Sequence, residues 1–185
     1  MIWLTSDLHF CHNREFLYGP RGFSCVEDMN EAIVKNWNEV VKPNDDVYCL
    51  GDIMLNNNEL GLELLKKLNG KIHVVMGNHD TNARLIAYTG CHNVVEVVPA
   101  TYMRYKGYYF FCTHFPCLTA SLNEDADLRK CICNFFGHTH QKTNFYEDRP
   151  YMYHVGVDSH ACTPVSIDRA IADMEEKVQE CLAQL

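Results

Sequence analysis

Along the first hundred residues, short apolar runs alternate with amphipathic stretches, and the first three runs each end in a cluster rich in Asp, Asn, Gly or His. Met1 to Leu4 stops at Thr5-Ser6-Asp7, Val47 to Leu50 at Gly51-Asp52, and Ile72 to Met76 at Gly77-Asn78-His79-Asp80. Runs of this length without polar alternation suit strands buried on both faces, as in a parallel sheet. Between them, Met29, Ile33, Trp37, Val40 and Val41 recur at helical spacing from Val26 onward. Ser24 and Glu27 read as a capping box for that helix, and Pro43 closes it. Glu59 to Leu68 and Asn82 to Tyr88 supply two more helices, with Gly70 past the end of the longer one. Val94 to Val98 is a fourth strand.

Beyond residue 100 the texture becomes strand-rich. Tyr102 to Tyr105 and Tyr108 to Thr113 flank Lys106-Gly107 as a hairpin. Cys131 to Phe136, Lys142 to Glu147 and Tyr151 to Val157 read as further strands, the last two parted by Asp148-Arg149-Pro150. A helix from Ser166 to about Leu182 ends the chain. The expected architecture is α/β, with two packed mixed β-sheets flanked by helices. At 185 residues the chain has the length of one domain, taken here as 1–185.

The net charge of −8 argues against a partner such as duplex nucleic acid, whose non-specific binding rests on clustered Lys and Arg. No apolar stretch reaches the roughly 18 residues that span a bilayer. The ten cysteines are scattered, with no leader before Ile2, so a reducing cytoplasm is the expected location. Cys131 and Cys133 form a lone C-x-C with no second pair to complete a thiolate site, and they read as buried strand residues.

Five motifs lie where a predicted strand gives way to a loop: Asp7-Leu8-His9, Gly51-Asp52, Gly77-Asn78-His79-Asp80, Thr113-His114 and Gly137-His138-Thr139-His140. In open α/β sheets, ligands collect beyond the carboxyl ends of strands, so these distant segments are expected to converge. Together Asp7, His9, Asp52, Asn78, His114, His138 and His140 offer seven oxygen and nitrogen donors. One zinc takes three or four ligands, so the count favours two adjacent ions with shared solvent. Donors of this kind without thiolate suit manganese, iron or zinc alike.

In that order the five motifs resemble the calcineurin-like metallophosphoesterase family, and the resemblance covers nearly the whole chain. It implies a four-layer sandwich and hydrolysis of a small phosphate ester, monoester or diester, with nucleotides among the candidates. By this likeness Asp7, His9 and His140 hold one ion, Asn78, His114 and His138 hold the other, and Asp52 bridges them. Attack then comes from a metal-bridging hydroxide. His79 is the general acid for the leaving oxygen, with Asp80 orienting its ring.

The segment from Phe10 to Phe23 is long for a strand-to-helix connection, and such loops are often functional. It carries His12, Arg14 and Arg21, which become candidate substrate contacts, and Phe115 to Lys130 is a candidate for the opposite wall. His73, His92, His154 and His160 lie outside the motifs and read as structural. Ile53-Met54-Leu55-Asn56 follow Asp52, where the protein phosphatase branch carries an arginine, so phosphoprotein specificity is not expected. The competing reading is a catalytically retired metal-binding scaffold or interaction module of the same fold. An intact His79 beside a full ligand set favours the enzyme.

Overall fold

A computed structural model describes residues 1–119 and 127–183. The first half lays down β1 (Ile2–Thr5), α1 (Glu15–Tyr18), α2 (Val26–Val40), β2 (Asp46–Cys49), α3 (Asn58–Lys66), β3 (Lys71–Val75), α4 (Asn82–Thr89) and β4 (Val94–Val98). The second half adds β5 (Thr101–Tyr105), β6 (Tyr108–Cys112), β7 (Ile132–Phe136), β8 (Met152–His154), β9 (Val165–Ser166) and α5 (Ile167–Ala183). They form a five-stranded sheet of order β4-β3-β2-β1-β9 and a four-stranded sheet of order β5-β6-β7-β8. Both are mixed. β9 runs antiparallel to β1 beside an otherwise parallel sheet, and β5 runs antiparallel to β6 beside two parallel pairs.

Strand alternation divides the first sheet between two cores. Val47, Cys49, Ile72 and Val74 face α2, α3 and α4, whereas Leu4, Leu50 and Val75 meet Phe110, Cys112, Cys133 and Phe135 of the second sheet. α5 adds Ile167, Ala170, Ile171 and Met174 to that second core. The result is the expected α/β arrangement of two mixed sheets flanked by helices. Packing of this density holds the strand ends as a stiff frame for the loops that leave them.

Register decides where those loops emerge. Thr5 lies opposite Cys49, and Cys49 opposite Val74, so β1, β2 and β3 end at one edge. Cys112 pairs with Phe135 in the second sheet. The two sheets are stitched at the same rim: Ser6 bridges Gly156, Val157 N donates to Ser6 O at 3.1 Å, and His138 N donates to Asp7 Oδ2 at 2.9 Å.

Some local expectations need correction. α2 starts one residue past Cys25, whose backbone is extended at the N-cap, and the proposed Ser24–Glu27 box is not what caps it. Lys142 to Glu147 is not a strand. Gln141 Nε2 donates to the carbonyls of Thr143 and Phe145 at 2.8 and 3.0 Å, curling the segment, and only Phe145 bridges Tyr153. The run Tyr151 to Val157 contains a strand of three residues, β8. Cys131 and Cys133 are both buried, as read, and all ten cysteines are free thiols. Among the described residues no helix is long and apolar enough to cross a membrane.

Candidate metal centre

Every motif residue sits just beyond a strand on the stitched rim, and their backbones bend sharply there. Asp7, His9, Asp52, His138 and His140 all adopt φ between 48° and 68°, a left-handed conformation that Asp and His tolerate better than most side chains. Strain of this kind concentrates at functional sites, held by surrounding structure. Gly77 and Gly137 let the loops close on one another. A Cβ at Gly77 would meet Asp52 Oδ1 and lie 2.5 Å from Asp52 N; one at Gly137 would meet Ser6 Oγ and lie 2.5 Å from Asp7 Oδ2.

Two donor sets result. Asp7, His9 and His140 form one, and Asp7, Asp52 and His114 the other, each with ligand atoms within 4.8 Å of one another. Asn78 Oδ1 closes the second set, lying 2.8 Å from His114 Nε2 and 2.9 Å from His138 Nδ1. Asp52 is central: its Oδ2 lies 3.4 Å from His114 Nε2 and 3.7 Å from His9 Nε2. All seven predicted ligands are therefore brought together.

The residues fit divalent cations by several observations. Asp7 and Asp52 are fully shielded from solvent, and the buried Asp7 Oδ1 has no hydrogen-bond partner. His9 Nε2 and His140 Nε2 face each other at 3.2 Å. Burial pushes the Asp7 carboxyl up. For His114, burial is outweighed by the bond to Asp52 and the charge of Asp7, so its pKa is raised; His140 is raised likewise through Asp158 and Asp7. Two buried carboxylates that draw positive charge onto neighbouring rings are the electrostatics of a cation site. Mixed O and N donors without thiolate suit manganese, iron or zinc.

The outer partners aim the rings. His114 Nδ1 donates to Leu50 O at 2.7 Å, leaving Nε2 for the site. His140 Nδ1 meets Asp158 Oδ2 at 2.8 Å, a carboxylate–imidazole pair of the kind that orients metal ligands. Asp158 was missed by the sequence reading. It ends the run Val155-Gly156-Val157, and the same strand-end rule that found Asp7 and Asp52 applies to it.

Arg21 is a correction. Its side chain is fully buried rather than offered to substrate. Nε and Nη2 grip Asp158 at 2.9 and 2.8 Å, and the guanidinium also donates to the carbonyls of Asp7 and Leu8. Arg14 lies exposed at the N-cap of α1 and is not among the residues that line the cleft. His12 does line it, with His79 and Lys142, in a cleft of about 600 Å3 over the donor sets. Of the proposed opposite wall, Phe115 packs on His138 with centroids 4.6 Å apart, while residues 120–126 lie outside the described residues.

Asp80 is the second correction. Its carboxylate accepts from the backbone of Asp52 and Gly77 at 2.8 and 2.9 Å and from Tyr88 Oη at 2.8 Å. It makes no hydrogen bond to the His79 ring. Three backbone N–H groups of two tight loops, the third being Ile53 N at 3.4 Å, together with the Tyr88 hydroxyl of α4 outbid one imidazole for a buried carboxylate. His79 is held through its backbone instead, N donating to Asp52 Oδ1 at 2.8 Å and O accepting from Arg84. Its half-exposed ring has Nε2 3.9 Å from Asp52 Oδ2.

Fold and site together define an α/β protein with a mixed oxygen and nitrogen donor cluster, able to hold metal, at the joined rims of two sheets. A family description, calcineurin-like phosphoesterase superfamily domain, matches residues 1–177, and the chain belongs to that family. An uncharacterized protein of Methanocaldococcus jannaschii is 34% identical over 183 residues, covering 95% of this chain and 92% of its own. The Gene 66 protein of Mycobacterium phage L5 is 34% identical over 82 residues, 42% of this chain and 39% of its own. Among solved structures, a protein of unknown function from Aquifex aeolicus superposes with a TM-score of 0.70 at 22% identity, over 94% of this chain and 98% of its own. That likeness carries the fold.

Proposed function

We propose that this chain hydrolyses small phosphomonoesters or phosphodiesters, nucleotides among them, using two divalent ions and His79 as general acid. One observation carries the reading: seven donors from five separate loops meet, five of them (Asp7, His9, His140, Asp52 and His114) in two sets that share Asp7, with Asn78 Oδ1 2.8 Å from His114 and 2.9 Å from His138 and Asp52 beside both His9 and His114. Bound there, a pair of divalent cations would supply Lewis acidity and a nucleophilic water at neutral pH. Asp7, His9 and His140 are assigned to one ion, Asn78, His114 and His138 to the other, and Asp52 to both.

The remaining residues hold this arrangement and handle protons. Asp80 fixes the backbone of Asp52, Leu50 O and Asp158 aim His114 and His140, and Arg21 neutralises Asp158. His79 stands at the cleft with a solvent-reaching ring, tethered to Asp52 but outside both donor sets. A proton donor for the leaving oxygen needs that placement, because the leaving group departs opposite the attacking water. Lys142 adds a cation at the rim. The site thus offers positive potential to a small phosphate within a chain of net charge −8.

The test is hydrolysis of bis(p-nitrophenyl) phosphate and p-nitrophenyl phosphate by metal-stripped protein before and after adding manganese, iron or zinc. Turnover that appears with metal and disappears with chelator supports the reading. No turnover of either ester with any of the three metals rejects it.

A further inference from the structure

Resting on the reading of His79 as proton donor, we propose that Phe16 is a specificity residue: it binds a flat, ring-bearing apolar group on the leaving alcohol of the ester. Helix α1 carries Phe16 and Leu17 side by side, both on the wall of the cleft but unequally exposed. Leu17 is 7% exposed and packs in the core, whereas the neighbouring Phe16 is 73% exposed and lines the cleft. Leu17, Pro20 and Leu55 continue the same wall. The cleft, at about 600 Å3, encloses a whole small molecule and not a phosphate alone.

A row of rings leads from the donor sets to this wall. His79 lies 5.5 Å from His9 and 6.5 Å from His12, and His12 meets Phe16 edge-on at 5.9 Å with an interplanar angle of 89°. A substituent on an oxygen protonated by His79 therefore runs along His12 toward Phe16. The phosphoryl group gains nothing from an apolar ring, so the wall serves the other end of the ester. A planar apolar group there gains both area burial and the offset or edge-on contacts that aromatic pairs favour.

The loop that carries Phe16 is preformed. Phe23 N donates to Tyr18 O at 3.1 Å, Lys142 Nζ donates to Pro20 O at 3.0 Å, and Arg21 is locked on Asp158. A backbone held in place leaves only the side chain of Phe16 to be ordered when a ligand stacks on it.

The experiment titrates manganese-loaded protein with phenethylphosphonate and propylphosphonate, which cannot be hydrolysed at the P–C bond and differ in a terminal phenyl against a methyl. Wild type is expected to bind the phenethyl compound roughly tenfold tighter, in line with one aromatic contact plus its buried area. Phe16→Ala abolishes the preference, and Phe16→Trp keeps it. Equal affinity of wild type for the two compounds, or a preference unchanged in Phe16→Ala, overturns the proposal. Turnover of the matching phenethyl and propyl phosphates in the same preparations reports separately on the phosphoesterase reading. A preference without turnover keeps the wall and rejects the chemistry, and turnover without preference does the reverse.

Discussion

At the residue scale, His79, Asp158 and His154 each do something that a substitution can isolate. Replacing His79 by Ala removes the proposed proton donor, so alkyl phosphate esters should lose about 100-fold or more in kcat/KM, while nitrophenyl esters, which leave without protonation, lose less than about tenfold. Equal losses on both would remove His79 from the acid role. Asp158→Asn deprives His140 of its anionic partner and should weaken one of two metal-binding steps by about 10- to 100-fold in calorimetric titration. Asp158→Ala also strands the buried Arg21 and should cost about 3–5 kcal/mol in denaturant unfolding. His154 is buried, with Nδ1 on Ser159 Oγ at 2.8 Å and Nε2 unpartnered. Burial first, and then the charge of His160, bring its pKa down to about 3. Between about 6.5 and 3 the unfolded chain therefore binds a proton there that the fold refuses, and stability falls as pH is lowered, by up to about 1.4 kcal/mol per unit. Unfolding from pH 7 to 5 should show a shallower pH slope in His154→Gln than in wild type, and an unchanged slope would mean that His154 is not the group responsible. The seven donors were legible because each follows an apolar run, and Asp158 obeyed the same rule unnoticed. The pairing of Arg21 with Asp158 and of Asp80 with the backbone of Asp52 was not legible, since both are set by long-range packing and not by neighbours in sequence.

At the scale of elements, the strand ends are close-packed on one another, and the glycines between them are steric necessities. Gly77→Ala would drive a methyl group into Asp52; overpacking of this kind costs about 1–3 kcal/mol and should here displace the central carboxylate as well. Metal affinity is expected to drop at least tenfold with helical content preserved, as read by titration and circular dichroism. Unaltered affinity would mean that the loops yield more freely than their contacts imply. The parallel core strands and α2, α3, α4 and α5 were readable from apolar runs and helical period. Two-residue β9 is too short to leave a pattern, and α1 has only four residues. Lys142 to Glu147 misled because Thr143, Phe145 and Tyr146 are residue types that favour strands, while the side chain of Gln141 captures the carbonyls a ladder would need.

For the whole molecule, metal and fold are one equilibrium. Ions that bind the assembled rim and not the unfolded chain stabilise by about 2.7 kcal/mol at a hundredfold excess over Kd, which in a domain of this size raises Tm by about 5–10 °C. Chelation should reverse that shift. Sheet order and the joining of the two rims were beyond the reach of local pattern, because register across β1, β2 and β3 and the bond from His138 N to Asp7 are products of the closed structure. The most direct measurement is the metal content of purified, manganese-reconstituted protein by elemental analysis, wild type beside Asp52→Asn. Two ions per chain, both diminished together in the variant, are the expected result. One ion per chain in wild type, or one ion kept at full occupancy in Asp52→Asn, would contradict a shared centre bridged by Asp52.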